Sequence, residues 1–202
     1  MENALSLIQS WINESTNKVN IIPRINHGYL CDTVLGVSEH SVLGTLVNHV
    51  GGFSVNNNLL RHFAGENKFD LSVREINLVN DKLPSLIKGA LIVADDIYGG
   101  LFAINTVGGS IKPGNIMYLP PDVYAWEDLG IGHSDFVHWC ICGNLQLFYK
   151  KFSSAVKTVD CAFNETLSFT PPLWIKSAAH NPEKIHSKNN HIIRSEMLVQ
   201  LS

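Results

Sequence analysis

The chain has 202 residues, of which 45% are hydrophobic and only 16% charged, and its formal net charge is −3. That length is enough for one sizeable core, and the near-neutral balance excludes binding to nucleic acid or membrane by bulk charge. No apolar run approaches the roughly 18 residues of a membrane span, and Met1-Glu2-Asn3 lacks a basic signal-peptide start, so a cytoplasmic setting is expected.

Residues 2–15 place Leu5, Ile8, Trp11 and Ile12 at helical spacing, which predicts an amphipathic helix ending near Asn17. Val19 to Ile22 is β-prone and stops at Pro23, and residues 24–32 have loop composition. Thr33 to Val50 is ambiguous: Ser41 can cap a short helix carrying Leu43, Leu46 and Val47, but Gly36 and Gly44 disfavour one, and the reading leans to a strand over Thr45 to Val50. Phe53 to Val55 reads as extended before the polar corner Asn56-Asn57-Asn58. Leu59 to Phe63 then predicts a helical turn stopped by Gly65. Asp70 to Arg74 alternates like a strand, yet Ser72 can equally cap a helix leading to Ile76.

Residues 88–149 carry the clearest organisation. Gly89-Ala-Leu-Ile-Val-Ala94 is an apolar run of strand length that ends in Asp95-Asp96-Ile97-Tyr98-Gly99-Gly100. Leu101 to Asn105 and Ile116 to Leu119 are two further runs, separated by Gly108-Gly109 and Pro113-Gly114, so a meander of at least three strands is predicted. Ser134 is the expected cap of a helix bearing Phe136, Trp139 and Cys140, and Asn144 that of a short helix with Leu145, Phe148 and Tyr149. Val156 to Phe163 reads as a further strand or helix. Residues 177–202 are expected to be a polar, basic, partly mobile tail after a domain spanning 1–176, with residues 192–201 able to dock as a terminal element.

Charge is unevenly spread. Residues 89–149 hold six acids (Asp95, Asp96, Asp122, Glu127, Asp128, Asp135) against Lys112, a balance of −5, whereas residues 150–202 balance at +3. Tyr118, Tyr124, Trp126, Trp139 and Tyr149 share the acidic stretch, and aromatic rings among acids can form a recognition surface as well as a core.

Chemistry-bearing patterns are sparse. Asp95-Asp96 could hold a cation or divide acid and base roles, but neighbours in an extended segment point to opposite faces, and Asp before glycine is also ordinary turn chemistry. The nine histidines show no helical metal-ligand spacing. No Gly-x-Ser-x-Gly elbow or phosphate-cradling glycine pattern occurs. Cys140-Ile-Cys142 lacks the two-residue spacer of a redox or zinc motif, so Cys31, Cys140, Cys142 and Cys161 read as small buried apolar groups.

Several of these segments together carry a resemblance. Gly51-Gly52-Phe53, the run Leu91 to Asn105, Tyr118-Leu-Pro-Pro-Asp-Val-Tyr-Ala-Trp-Glu-Asp-Leu129, Ser134-Asp-Phe136, Gly143-Asn-Leu145, Phe148-Tyr149 and Pro171-Pro172-Leu173-Trp174 resemble the bacterial domain-of-unknown-function 2625 family. More distantly, the strand, acidic glycine turn and strand, followed by Pro-Asp and Trp, resemble the SUKH (Smi/Knr-type) superfamily. That likeness implies an immunity-type protein-binding role.

The resulting expectation is an α+β protein: a central, mainly antiparallel twisted sheet with helices packed on one side, SUKH-like. Its expected function is non-catalytic protein binding through an acidic aromatic surface formed by Asp95, Asp96, Tyr98, Asp122, Tyr124, Trp126 and Asp135, with a basic protein partner and no cofactor. A metal-assisted hydrolase using Asp95 or Asp96 with a histidine is the alternative. Association into a homo-oligomer is the third reading.

Overall fold

Seven strands follow one another in chain order across a single antiparallel sheet. The computed structural model describes residues 4–25, 36–77, 89–153, 160–176 and 179–200. The strands are β1 (Val19–Ile22), β2 (Gly52–Val55), β3 (Leu60–Phe63), β4 (Ala90–Asp96), β5 (Leu101–Asn105), β6 (Asn115–Leu119) and β7 (Glu127–Gly132). The three runs read from the central stretch are β4, β5 and β6, and the α+β architecture is the one expected.

The sheet is covered on both faces. On one face α4 (His133–Cys142), which the short helices α5 (Leu145–Phe148) and α6 (Lys150–Ser153) follow in the chain, packs against β6 and β7, and it also contacts α1 (Ala4–Glu14) and α2 (Val42–His49). Phe102 and Phe136, both fully buried, meet at 5.0 Å between β5 and α4, and Phe102 stacks on Tyr118 at 4.4 Å. Each such ring contributes about 1.5–3 kcal/mol by leaving water. On the other face lies a hairpin of β8 (Glu165–Thr170) and β9 (Asn181–His186), followed by α7 (Ser187–Gln200), which packs on both of its strands. Leu167 N donates to Ile97 O and so docks β8 on the turn after β4.

The alternation of β3 assigns the faces. His62 stacks on Phe53 and reaches α4, whereas its neighbours Arg61 and Phe63 reach β8 and α7.

Three local expectations are corrected. The lean toward a strand over Thr45 to Val50 fails because Ser41 caps α2, its side chain accepting from Gly44 N at 3.0 Å. Gly44 also fits there for want of a side chain, since a Cβ would lie 2.1 Å from Ser38 O. The expected helical turn over Leu59 to Phe63 is instead strand from Leu60 on, because Asn56, Asn57 and Asn58 all adopt left-handed φ and turn the chain so that β3 pairs with β2. The long central helix starts at His133 with Gly132 at its cap, and Ser134 provides no capping bond.

The expected tail after residue 176 is largely built into the fold. β9 pairs along the whole of β8, and Asn190, His191 and Arg194 of α7 are buried. The either/or at residues 70–74 resolves as a capping box on α3 (Val73–Asn77), with Ser72 N donating to Glu75 and Glu75 N to Ser72. Most of residues 24–32, Cys31 and much of Val156 to Phe163 lie outside the described residues. Cys140 and Cys161 are buried, and Cys142 is half-buried.

Candidate functional site

The end of β4 places its two acids in different environments. Asp95 pairs across the ladder with Arg61 of β3, and both side chains are wholly out of water. Arg61 Nε donates to Asp95 Oδ1 at 2.8 Å, and the other guanidinium nitrogens donate to the carbonyls of Glu165, Phe163 and Asp96. Asp95 Oδ2 lies 3.2 Å from His191 Nε2 of α7. One carboxylate therefore ties β3, β4 and α7 together, while its partner cation clamps β8.

Asp96 points the other way, into the layer of α4 and the segment that follows it. Its Oδ1 accepts from Tyr98 N and Gly100 N, both at 2.9 Å, which closes the turn before β5. Its Oδ2 accepts from the Tyr118 hydroxyl at 2.8 Å. Burial pushes its carboxyl up to about 6, against the opposing pull of the Gly100 N–H and the Tyr118 hydroxyl. The same burial, with Asp96 nearby, raises the Tyr118 and Tyr149 hydroxyls well above the usual tyrosine range. Glycine at 100 is required for this packing, since a Cβ would lie 2.3 Å from Asp96 Oδ2 and 2.6 Å from the Tyr118 hydroxyl.

A second buried polar contact joins the sheet to α4. His62 Nε2 and His133 Nε2 lie 2.9 Å apart, so one ring donates and the other accepts, and at least one is neutral. Burial lowers His62 well below its ordinary value, with His133 adding to the effect, and lowers His133 to about 4.

The surface expected from Asp95, Asp96, Tyr98, Asp122, Tyr124, Trp126 and Asp135 does not exist as such. Asp95 and Asp96 are fully buried and Tyr98 is 8% exposed, because the strand and turn that carry them lie under both covering layers. Asp122 forms an ion pair with Lys151. Tyr124 and Trp126 are half-buried, and Asp135 is exposed in the first turn of α4. The expected −5 stretch therefore presents far less charge to solvent than its sequence implies.

What the structure brings together is a cleft between the 98–99 turn, β8 and α7. Tyr98, Leu167, Phe169, Leu173, Trp174 and Ile193 supply its apolar lining, with Asn190 and Arg194 among its polar groups. Its volume is about 80 Å³. The segment Pro120 to Tyr124 wraps the guanidinium of Arg194, whose Nη2 donates to Pro120 O at 2.6 Å and Val123 O at 2.8 Å. Tyr124 and Trp174 pack against each other at 4.5 Å, and Arg194 Cζ lies 5.7 and 5.5 Å from their ring centres. Of the residues singled out from sequence, Tyr98 and Tyr124 reach this region.

The family pattern described as "Protein of unknown function DUF2625" matches residues 1–195. The chain belongs to the DUF2625 family. It is 30% identical over 194 residues to the protein YbfG of Escherichia coli K12, covering 92% of this chain and 87% of that one; YbfG is described only as uncharacterised. It is also similar to an uncharacterised protein of Haemophilus influenzae, at 27% identity over 176 residues, covering 82% of this chain and 75% of that one. No solved structure matches, so the more distant SUKH likeness gains no support.

In this DUF2625 chain, the residues that sequence reading missed are Arg61, His191 and Arg194. Arg61 lay in a segment read as a helical turn, and the other two in one read as a tail. The available signal was His191-Ile-Ile-Arg194, where apolar and cationic residues share one helical turn.

Proposed function

We propose that this protein is a non-catalytic binding module whose site is the cleft between the 98–99 turn, β8 and α7. The observation that carries this reading is the contrast between the cleft and the acids. Both oxygens of Asp95 and both of Asp96 are engaged by neighbouring groups, so neither carboxylate faces open space. The cleft beside them is open and has an apolar and aromatic lining with few polar groups, the usual composition of a ligand site.

The hydrolase alternative has less support. Although His191 does meet Asp95, Arg61 already neutralises that carboxylate, and no group of three or more His, Cys, Asp or Glu able to hold a metal occurs among the described residues.

A fragment screen by NMR tests the reading. Fragments that bind should perturb resonances of residues 167–174 and 190–194, and should be recovered chemically unchanged. Ile193→Trp, which enlarges a side chain lining the cleft at a 41% exposed position, should abolish those perturbations without lowering the thermal midpoint. Binding that maps elsewhere, or turnover of a bound fragment, rejects the proposal.

A further inference from the structure

We propose that the occupant of this cleft presents a carboxylate on a short aliphatic stem, and that Arg194 anchors it. The inference rests on the cleft being a binding site and adds the chemical class of what binds there.

Arg194 is only 4% exposed, yet its hydrogen bonding is incomplete. Nη2 uses its two N–H bonds on Pro120 O and Val123 O, whereas Nε and Nη1 have no hydrogen-bond partner among the described residues. A guanidinium carries five N–H donors, so three are uncommitted. Leaving charged donors unpaired in the interior is costly, and a carboxylate is the group that best matches them.

Nor, among the described residues, is an acid in contact with this cation. Asp96 and Asp122 lie within its electrostatic reach, but Asp96 accepts from Tyr98, Gly100 and Tyr118, and Asp122 pairs with Lys151. The rings of Tyr124 and Trp174 hold the guanidinium by cation–π contact without cancelling its charge.

The remaining lining selects among anions. One cation beside two nearby carboxylates favours a monoanion over a doubly charged phosphate, which Asp96 and Asp122 would repel. Leu167, Phe169, Leu173 and Ile193 favour an apolar stem. The volume of about 80 Å³ is well below the roughly 150 Å³ that accommodates benzene, so a stem of about two to four carbons fits. Such a carboxylate can belong to a free acid or to the end of a peptide chain.

The experiment titrates the full-length protein with acetate, propionate and butyrate, and with the three corresponding amides. Tryptophan emission and the Arg194 Nε–H resonance serve as readouts. The expected result is saturable binding of the acids, about 10- to 100-fold tighter than of the amides, as hydrogen bonds to a charged group imply. Arg194→Met should erase the preference for acids. Should that variant fail to fold, the acid-against-amide ratio in the wild type and its loss in Ile193→Trp decide the matter.

Equal binding of acids and amides, abolished by Ile193→Trp, overturns the carboxylate inference while the cleft stands as a binding site. Binding of neither overturns both. A short peptide with an aliphatic C-terminal residue forms the last arm. If its free acid binds more tightly than butyrate and its C-terminal amide does not, the carboxylate is that of a chain end; if the peptide acid binds no better than butyrate, it is that of a small molecule. Either result supports Arg194 as the anchor.

Discussion

Asp95 and Asp96 are consecutive in β4, yet their carboxylates serve opposite faces of the sheet. Asp95 meets Arg61 and His191 beneath β8 and α7, whereas Asp96 meets Tyr118 and the turn at Tyr98–Gly100 on the α4 side. The pleat of the strand dictates the separation. It makes the pair two structural clamps joining the sheet to its two covering layers, and removes it as a joint site.

The Asp95 clamp can be tested by a mutant cycle. Arg61→Met should destabilise the protein by about 3–5 kcal/mol, because it leaves a buried carboxylate facing only His191. Arg61→Met combined with Asp95→Leu should recover part of that loss, since no uncompensated charge is then buried. Urea unfolding of both variants provides the measurement, and a double variant no more stable than the single would show that the carbonyl contacts of Arg61, more than the ion pair, hold β8.

The Asp96 clamp predicts a pH dependence opposite to that of an ordinary salt-bridged acid. Its carboxyl titrates near 6 in the folded chain and near 3.8 when exposed. Between those values the folded state holds more protons, so this group's contribution falls as pH rises, by about 3 kcal/mol in total. The His62–His133 pair acts in the opposite sense, because its lowered values mean that stability is lost as pH falls below about 6.5. The two effects offset each other between about pH 4 and 6. Asp96→Asn should therefore make the thermal midpoint climb more steeply from pH 4 to 6.5 than in the wild type, and adding His133→Gln should flatten it again. Parallel profiles for wild type and Asp96→Asn would place the carboxyl in its ordinary range.

Legibility of the fold tracked how local each signal was. The strands β4 to β6 announce themselves because apolar runs of strand length are bounded by glycine and proline, and α1 because its apolar spacing is helical over several turns. Leu60 to Phe63 misleads because a four-residue strand containing Arg61 and His62 has no local periodicity; its state is decided by the left-handed corner at Asn56–Asn58 and by pairing on both sides. The site was harder to see for the same reason. Arg194 lies 70 residues beyond Tyr124 in the chain, and the only mark of it nearby is the single turn His191-Ile-Ile-Arg194 inside a polar stretch.

Gly100→Ala tests how closely the Asp96 turn is packed. The added methyl would lie 2.3 Å from Asp96 Oδ2 and 2.6 Å from the Tyr118 hydroxyl, far inside contact distance. Both groups are buried and hydrogen-bonded to each other, so relief requires breaking that bond or shifting β5. A loss of about 2–4 kcal/mol follows from overpacking together with an unsatisfied buried acceptor. Chemical denaturation reads the loss, and a change below about 0.5 kcal/mol would mean that the turn relaxes freely.

Removal of α7 separates a helix integral to the fold from an appended tail. Ending the chain after His186 deletes Asn190, His191 and Arg194, and with them the contacts to Gly99 O, Asp95, Pro120 O and Val123 O. It also uncovers Phe63, which His191 meets edge-on at 5.6 Å, and leaves Asp95 to Arg61 alone. The sheet itself, beyond the end of the chain, should therefore weaken by several kcal/mol, as expected when a buried network loses members and apolar surface is exposed. Hydrogen exchange of the β3 and β4 amides gives the local readout, and urea unfolding the global one. Faster exchange in those two strands is the expected outcome. Unchanged protection there, with an unchanged unfolding midpoint, would mean that α7 contributes nothing to the sheet it covers.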